Sequence, residues 1–319
     1  MNTTPTTSDG SSRLPYTVMG GPRWDRIRRY PFPLTLLVLG RGDRLFKGEL
    51  LKDLQARGIG EILWVEGEQP SMDMESLSRD FPDVRFLLVK APSSAGERVN
   101  VGIEESRAPM VFVLWSDTRL SRFPSSSLGP FEKSGNLCWV PTARTPLGDL
   151  IPSWQAPQWK KRRLSVSFRM PRKDSERVLF PFDYCGIYNR AKFAQSGGYD
   201  RAIASPYWQK LDFGFRSLLW GENLLGTTGI CLTYTGAPPE EDTTPDAGYK
   251  LFWLKNIAVQ LRRETGVLPT VRILDYMLHS DTGPLYAVKE FRAVRAWVRT
   301  HRFRFRRDSR NILERWESA

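Results

Sequence analysis

The segment Gly96–Leu120, GERVNVGIEESRAPMVFVLWSDTRL, decides the fold class. It predicts a helix over residues 97–106, and an unbroken apolar run follows over residues 110–115. A short continuous apolar run is typical of a strand that is buried on both faces of a sheet. Ser116 and Asp117 come directly after this run. We therefore predict a helix, then a buried strand, and a carboxylate at the carboxyl end of that strand.

Asp117 is the first candidate for a ligand site. A buried carboxylate is costly unless a cation meets it, and ligands of α/β sheets bind at the carboxyl ends of the strands. Asp117 could hold a divalent metal ion, Mn²⁺ or Mg²⁺, because these ions prefer hard oxygen ligands. The alternative is that Asp117 only caps the turn at residues 116–119, where aspartate is a favoured residue.

Strands and helices alternate over the N-terminal half of the chain. Strands are predicted at residues 34–39, 61–66, 84–89 and 110–115, and helices at 45–56, 74–80 and 97–106. Such alternation with short connections is typical of a mostly parallel sheet with helices on both faces. The predicted fold class is therefore α/β, of the Rossmann-like kind. Gly40, Glu66 and Ser116 stand at the carboxyl ends of three of these strands, where a ligand is expected.

The second half of the chain is less periodic. Strands are predicted at residues 136–141, 164–170, 182–189 and 229–235, helices at 211–220 and 249–265, and a loop at 146–157. The predicted organisation is an irregular or disordered lead-in over residues 1–33, a main domain over 34–246, and a helical basic extension over 247–319. The main domain divides in this scheme into a first half, residues 34–120, and a second half, residues 121–246.

Composition excludes several classes of protein. The chain has 319 residues, of which 40% are hydrophobic, so it can bury a large core. No apolar run approaches the roughly 20 residues that a membrane span needs, and the opening lacks a signal-peptide core, so we expect a cytoplasmic protein. The three cysteines are widely spaced and form no zinc motif.

The net charge of +12 is concentrated in two segments. Residues 156–177 carry eight basic residues against two acidic ones, and residues 288–319 carry ten against four. Such patches suit contact with phosphate groups, or they are simply solvated faces. Nucleic acid is the least favoured partner, because no zinc finger, recognition helix or RNA-binding motif accompanies the charge.

The order of elements and their end residues resembles the GT-A nucleotide-sugar glycosyltransferases, in particular glycosyltransferase family 2. The resemblance implies that Glu66 faces the nucleoside of the donor and that Gly40, Asn100 and Ser116 lie beside the donor. It also implies that the segment ending in Asp117 corresponds to the metal-binding Asp-x-Asp motif of the family. Residues 34–120 would then be the nucleotide-binding half of the main domain, and residues 121–246 the acceptor half.

Two downstream segments extend the resemblance. The segment 196–200, SGGYD, is similar to the Gly-Gly-aromatic-Asp turn of the family, in which Gly197 and Gly198 let the backbone approach the donor; the alternative is an ordinary turn. The segment 211–216, LDFGFR, is similar to the acidic helix that carries the acceptor base. We therefore predict Asp212 as the catalytic base and Asp200 as its reserve.

The chain departs from the family pattern at two positions. Trp115 stands where the first aspartate of the metal motif is expected, and Lys210 stands where the usual base is expected. These departures leave open a catalytically degenerate protein that binds a sugar nucleotide or a partner. A sugar nucleotidyltransferase is a second alternative, because residues 40–44, GRGDR, are a weak version of the loop of those enzymes.

The predicted reaction transfers a sugar from a nucleotide-sugar donor to a hydroxyl of a glycan or a lipid-linked glycan. A carboxylate base takes the proton of the acceptor hydroxyl, and a metal ion at Asp117 neutralises the diphosphate that leaves. One carboxylate acting by single displacement inverts the anomeric configuration. This mechanism requires Asp117 and Asp212 to face the same pocket.

The C-terminal extension combines an apolar stripe with a basic face. Val288, Phe291, Val294 and Val298 recur at helical spacing, and arginines follow the same period on another face. A cationic amphipathic helix suits an anionic membrane surface, which predicts a peripheral location on the inner face of the membrane. The alternative is that the stripe packs on its own domain while the arginines stay solvated.

Overall fold

The computed structural model describes residues 14–21, 34–41, 47–68, 74–123, 128–160, 163–278, 283–314 and 316. The strands are β1 (Tyr16–Gly20), β2 (Leu34–Leu39), β3 (Glu61–Glu66), β4 (Arg85–Val89), β5 (Met110–Trp115), β6 (Thr118–Arg122), β7 (Cys138–Arg144), β8 (Trp154–Lys160), β9 (Arg163–Arg169), β10 (Gly186–Asn189), β11 (Leu224–Tyr234), β12 (Gln260–Arg262) and β13 (Thr265–Val267). The helices are α1 (Lys47–Ala56), α2 (Met74–Asp80), α3 (Ala95–Glu105), α4 (Leu128–Lys133), α5 (Arg190–Ser196), α6 (Pro206–Leu219), α7 (Ala247–Phe252), α8 (Arg272–Leu278), α9 (Pro284–His301) and α10 (Ser309–Glu314).

Nine strands of the described part of the chain form one sheet in the order β1-β4-β3-β2-β5-β10-β7-β11-β6. Strands β4, β3, β2 and β5 are parallel to one another. The antiparallel strand β10 joins them to the parallel pair β7 and β11. The predicted α/β class is confirmed, and the parallel strands β2 and β5 end side by side.

The parallel strands are apolar because helices or other layers cover both faces of the sheet. Every residue of β2, β3 and β5 is buried, and these three strands have the predicted bounds. Helix α3 begins at a complete capping box, in which Ser94 and Glu97 satisfy each other's backbone N–H groups. The capping box fixes the first turn of α3 beside the ends of β2 and β5.

The lead-in prediction is wrong at one place. Residues 16–20 form strand β1, which pairs antiparallel with β4 at the edge of the sheet. Tyr16 also donates a hydrogen bond of 2.6 Å to Glu105. Backbone pairing with β4 orders this segment although its own sequence shows little periodicity.

Two predictions in the second half are also wrong. The stretch 154–160, placed mostly in a loop, forms a hairpin of β8 with β9. The helix predicted over 249–265 ends at Phe252, continues as a π-helical turn over Trp253–Ile257, and gives way to the hairpin of β12 and β13. Arg263 and Glu264 make that hairpin turn at φ values of 46° and 61°.

The C-terminal helix α9 packs against α6 and α7 through its apolar stripe. The buried residues of α9 are Ala287, Phe291, Val294 and Val298, which belong to a second core cluster with residues of α6 and α7. The face predicted to meet a membrane is therefore largely occupied within the protein, and Val288 lies beside it. Among the described residues, no helix is both long and apolar enough to cross a bilayer.

Candidate active site

The candidate site lies where β2 and β5 end. Gly40 and Arg41 follow β2, and Ser116 and Asp117 follow β5. The Ser116 hydroxyl accepts a hydrogen bond of 2.8 Å from the backbone N–H of Arg41 and donates to the backbone carbonyl of the same residue. Ser116 therefore ties the two strand ends together and fixes the position from which the Arg41 side chain starts.

The Arg41 guanidinium lies between two carboxylates, and we call Arg41, Asp117 and Asp183 the Arg41 cluster. Arg41 donates to both oxygens of Asp117, at 2.9 and 3.1 Å, and to both oxygens of Asp183, at 3.2 and 2.8 Å. Burial works against the charged guanidinium, but the two carboxylates raise the pKa of Arg41 above its ordinary value. The Arg41 side chain is 30% exposed.

The indole ring of Trp115 lies beneath the guanidinium of the Arg41 cluster. The guanidinium carbon of Arg41 lies 4.1 Å from the centre of the indole ring, and that of Arg98 lies 5.2 Å from it. Stacking of a guanidinium on an indole face is favourable, and more so where water is excluded. Trp115, which stands where the first aspartate of the metal motif is expected, therefore lies against two cationic side chains.

Asp183 and Tyr184 adopt left-handed backbone conformations in succession. Asp183 has φ 47° and ψ 35°, and Tyr184 has φ 62°. Such conformations cost free energy in residues other than glycine and cluster at functional sites. The Tyr234 hydroxyl donates to Asp183 at 3.0 Å, and the Tyr188 hydroxyl donates to the Tyr184 carbonyl at 2.7 Å. Sequence analysis missed Asp183, because it placed this segment in a strand that begins only at Gly186.

Arg98 of α3 presents a cation that lacks a carboxylate partner among the described residues. Its Nη1 donates to the Gly40 carbonyl at 3.0 Å, and its buried Nε has no hydrogen-bond partner in the described part of the chain. Burial lowers the pKa of Arg98; the charge of Glu66 opposes this effect, and the positive charge of Arg41 adds to it. A half-buried guanidinium without a carboxylate partner is suited to bind an anion.

Glu66, which is predicted to face the nucleoside, has a charged partner within the protein. Its carboxylate forms a buried ion pair with Lys47 of α1. It also fills the space beside Gly40, where an added Cβ would lie 1.8 Å from a Glu66 oxygen. Gly40 therefore admits the Glu66 carboxylate at the end of β3.

Asn100 and the glycine turn are held together away from the Arg41 cluster. The Asn100 side chain donates to the Tyr199 carbonyl at 2.8 Å and accepts from the Tyr199 N–H at 2.9 Å. Gly197 and Gly198 have φ values of 80° and 65°. Their place after α5 is that of a helix-ending turn, and a Cβ on Gly198 would lie 2.5 Å from the Asn100 oxygen.

Asp212 is enclosed in the interior of the protein. The Asp212 side chain is 0% exposed; it accepts from Arg216 at 3.1 Å and from Asn256 at 2.7 Å. Arg216 in turn donates to the backbone carbonyls of the glycine turn, including that of Gly198 at 2.6 Å. This burial argues against the predicted role of Asp212 as base, because a base must reach the acceptor hydroxyl.

Asp200, the reserve base, forms an ion pair with Lys255. Burial alone would raise the pKa of Asp200, but the Lys255 ammonium, together with hydrogen bonds, lowers it below its ordinary value. The lowered pKa makes Asp200 a weaker base than an ordinary aspartate. Its contacts join the glycine turn to the segment after α7.

Lys210, at the position of the expected base, is paired with Glu241. The two charged groups form a largely buried ion pair, in which the side chains are 3% and 10% exposed. The Lys210 ammonium lies 5.3 Å from the centre of the Tyr184 ring. Glu241 comes from the loop after β11, so sequence analysis had no local signal to find it. This pair places a carboxylate next to the segment that carries Asp183.

The residues present do not fit a divalent metal ion in the arrangement observed. Such an ion needs several free oxygen ligands, and both oxygens of Asp117 and of Asp183 accept hydrogen bonds from Arg41. Within the described ranges, no group of three or more His, Cys, Asp or Glu side chains could hold a metal. His301 stacks on Trp220 and Trp297, and His279 lies outside the described residues.

Comparison with solved structures adds to this geometry. The chain superposes on the crystal structure of GalNAc-T7 with UDP, GalNAc and Mn²⁺, with a TM-score of 0.56 and 12% sequence identity over 70% of this chain. GalNAc-T7 is a glycosyltransferase of GT-A type. The chain has the GT-A fold. It spans about half of the GalNAc-T7 structure, 48% of that chain.

Other similarities are weaker. The S. aureus TarS 1-349 structure in complex with UDP-GlcNAc gives a TM-score of 0.49 and 10% identity, with 82% of this chain and 71% of that chain covered. Comparison with protein-family models found no match. Comparison with curated protein sequences found none either. The likeness to GalNAc-T7 therefore shows the fold alone.

Proposed function

We propose that this protein is a glycosyltransferase that moves a sugar from a nucleoside diphosphate sugar to a hydroxyl group of a glycan or lipid-linked glycan. The observation that carries the proposal is the half-buried guanidinium of Arg98 at the carboxyl ends of β2 and β5, which has no carboxylate partner within ion-pair distance among the described residues. That edge is where ligands of open α/β sheets bind. Because the chain has the GT-A fold, we infer that the ligand is a nucleotide sugar. Its diphosphate carries the negative charge that matches the positive charge of Arg98.

In the proposed reaction, the acceptor oxygen forms a bond to the anomeric carbon of the donor sugar. The bond from that carbon to the diphosphate breaks, and its electron pair stays on the diphosphate. Arg98, with the partly exposed Arg41, faces the negative charge that develops there. Prearranged donors in a partly dry site lower the barrier of such a step.

We assign to Glu241 the role of the base that takes the proton of the acceptor hydroxyl. Lys210 stands on α6 where the resemblance predicts the base, and Glu241 carries the carboxylate that is paired with it. A single displacement on one face of the sugar inverts its configuration.

The experiment measures release of nucleoside diphosphate from a panel of UDP-sugars and other nucleotide sugars with glycan acceptors. We expect turnover by the wild type and a fall of about 100-fold or more for Glu241→Gln, the size typical of a lost general base. Glu240→Gln is the matched control, because Glu240 is the exposed neighbour of Glu241. Equal losses in both variants would remove Glu241 from the mechanism.

The second candidate is a binding protein of the same fold without transferase activity. The burial of Asp212 and the lysine at position 210 favour it. A rise of the melting temperature with UDP, without turnover on any donor and acceptor, would establish this alternative. Preference for nucleoside triphosphates would instead indicate a nucleotidyltransferase; residues 42–44 of its predicted loop lie outside the described residues.

A further inference from the structure

The Arg41 cluster and Arg98 together have the charge balance of a metal site without a metal ion. A divalent cation between two carboxylates gives a net charge of zero. Here Asp117 and Asp183 carry the two negative charges, and Arg41 and Arg98 carry the two positive charges over one indole ring. The positive charge that a metal ion would supply is thus already built into the chain.

We propose that Arg41 is the resident cation of this site, so that the protein binds the donor diphosphate without a divalent metal ion. This inference rests on the proposed function and says how that site handles charge. The two carboxylates bind the Arg41 guanidinium in place of a metal ion. The sugar-transfer step is unchanged: the leaving diphosphate keeps the electron pair, and Arg41 neither gives nor takes a proton.

The hydrogen-bond geometry supports this assignment. A guanidinium has five N–H donors. Four hydrogen bonds from Arg41 reach Asp117 and Asp183, which leaves one donor of Nη1 for a ligand. Arg98 adds the donors that it does not use on the Gly40 carbonyl. Fork-shaped guanidinium groups match phosphate oxygens well.

Trp115 explains why a guanidinium and not a metal ion suits this position. An indole ring offers no oxygen ligand to a metal, whereas its face attracts a guanidinium at the observed distance of 4.1 Å. The Trp115 N–H also holds the Asp183 carbonyl at 2.7 Å, which keeps the second carboxylate turned towards Arg41. The departure from the Asp-x-Asp motif and the arginine after β2 therefore act together.

Removal of the guanidinium should uncover a cation site. In Arg41→Ala, the two carboxylates lose their partner and repel each other in a partly buried place, which a divalent cation would relieve. We expect Arg41→Ala, and the less disruptive Arg41→Gln, to bind Mn²⁺ at least about tenfold more tightly than the wild type. The additional change Asp117→Asn should abolish the gain.

Binding of Mn²⁺ is measured by the loss of the free-ion signal in electron paramagnetic resonance, with folding checked by circular dichroism. Stoichiometric Mn²⁺ binding by the wild type that Asp117→Asn removes would overturn the proposal, and this measurement does not depend on the folding of any Arg41 variant. Failure of folded Arg41→Ala and Arg41→Gln to gain Mn²⁺ would overturn it as well.

A second measurement uses UDP as the probe. We expect UDP to raise the melting temperature of the wild type equally in EDTA and in Mn²⁺. A shift that needs Mn²⁺ would overturn the proposal. Absence of any shift with UDP or other nucleotides would contradict the proposed function itself, while the Mn²⁺ measurements would still decide the role of Arg41.

Discussion

The indole N–H of Trp115 donates a hydrogen bond of 2.7 Å to the backbone carbonyl of Asp183. This contact joins the last residue of β5 to a left-handed turn 68 residues further along the chain. It fixes the carboxylate of Asp183 opposite that of Asp117, with Arg41 between them. The candidate site thus depends on one buried hydrogen bond that stabilises a costly backbone conformation.

Replacing Trp115 by phenylalanine should show how much that hydrogen bond contributes to the free energy of unfolding. Trp115→Phe keeps a ring beneath Arg41 but removes the indole donor of the Asp183 carbonyl, which retains only the weak contact of the Cys185 thiol at 3.6 Å. The matched control is Trp64→Phe, because Trp64 is also buried, yet its indole nitrogen has no partner among the described residues. We expect the free energy of unfolding, measured in urea, to fall by about 1–3 kcal/mol more for Trp115→Phe. Equal losses would show that the bond contributes nothing.

Arg98→Gln should weaken UDP binding without unfolding the protein. Arg98 has no ion-pair partner in the described part of the chain, so its removal leaves no unpaired carboxylate behind. The loss of a hydrogen bond to a charged ligand is worth about 1.5–3 kcal/mol, which is roughly 10- to 150-fold in Kd. Isothermal titration calorimetry measures the change. Arg295→Gln, on the exposed face of α9, removes the same charge and should leave the Kd unaltered.

Asp212→Asn should act on stability. The substitution leaves the Arg216 guanidinium buried without its carboxylate, which costs about 3–5 kcal/mol of unfolding free energy. Asp53→Asn is the matched control, because Asp53 and Arg57 form a pair of the same helical spacing that is partly exposed. There we expect a loss below about 1 kcal/mol. If Asp212→Asn kept full stability and UDP binding but lost sugar transfer, Asp212 would regain the role of base.

The apolar stripe of α9 should behave as protein core. Phe291 is 1% exposed, whereas Phe303, in the turn after α9, is 65% exposed. We expect Phe291→Ala to lower the free energy of unfolding by about 3–5 kcal/mol. Phe303→Ala should change it by no more than about 0.5 kcal/mol. A stable Phe291→Ala variant with reduced binding to anionic vesicles would restore the predicted membrane role of the stripe.

The predicted helix at 249–265 shows where sequence patterns mislead. Apolar residues recur there at helical spacing, but Arg263 and Glu264 make a left-handed turn that no glycine announces at those positions. The neighbouring Gly266 admits the ring of Phe305, since a Cβ would lie 2.3 Å from it. This contact comes from the far C-terminal segment, so a local window cannot reveal it.

The sequence alone determined the buried strands β2, β3 and β5 and the end of β5 just before Ser116 and Asp117, because burial on both faces demands continuous apolar runs and a polar residue ends them. It also showed that Trp115 and Lys210 depart from the resembling family. Only the tertiary structure decided which charges meet. Arg41 reaches Asp183 across 142 residues, and Lys210 reaches Glu241 across 31. Ion pairs depend on distances in space, and these distances exist only once the sheet has brought its strand ends together.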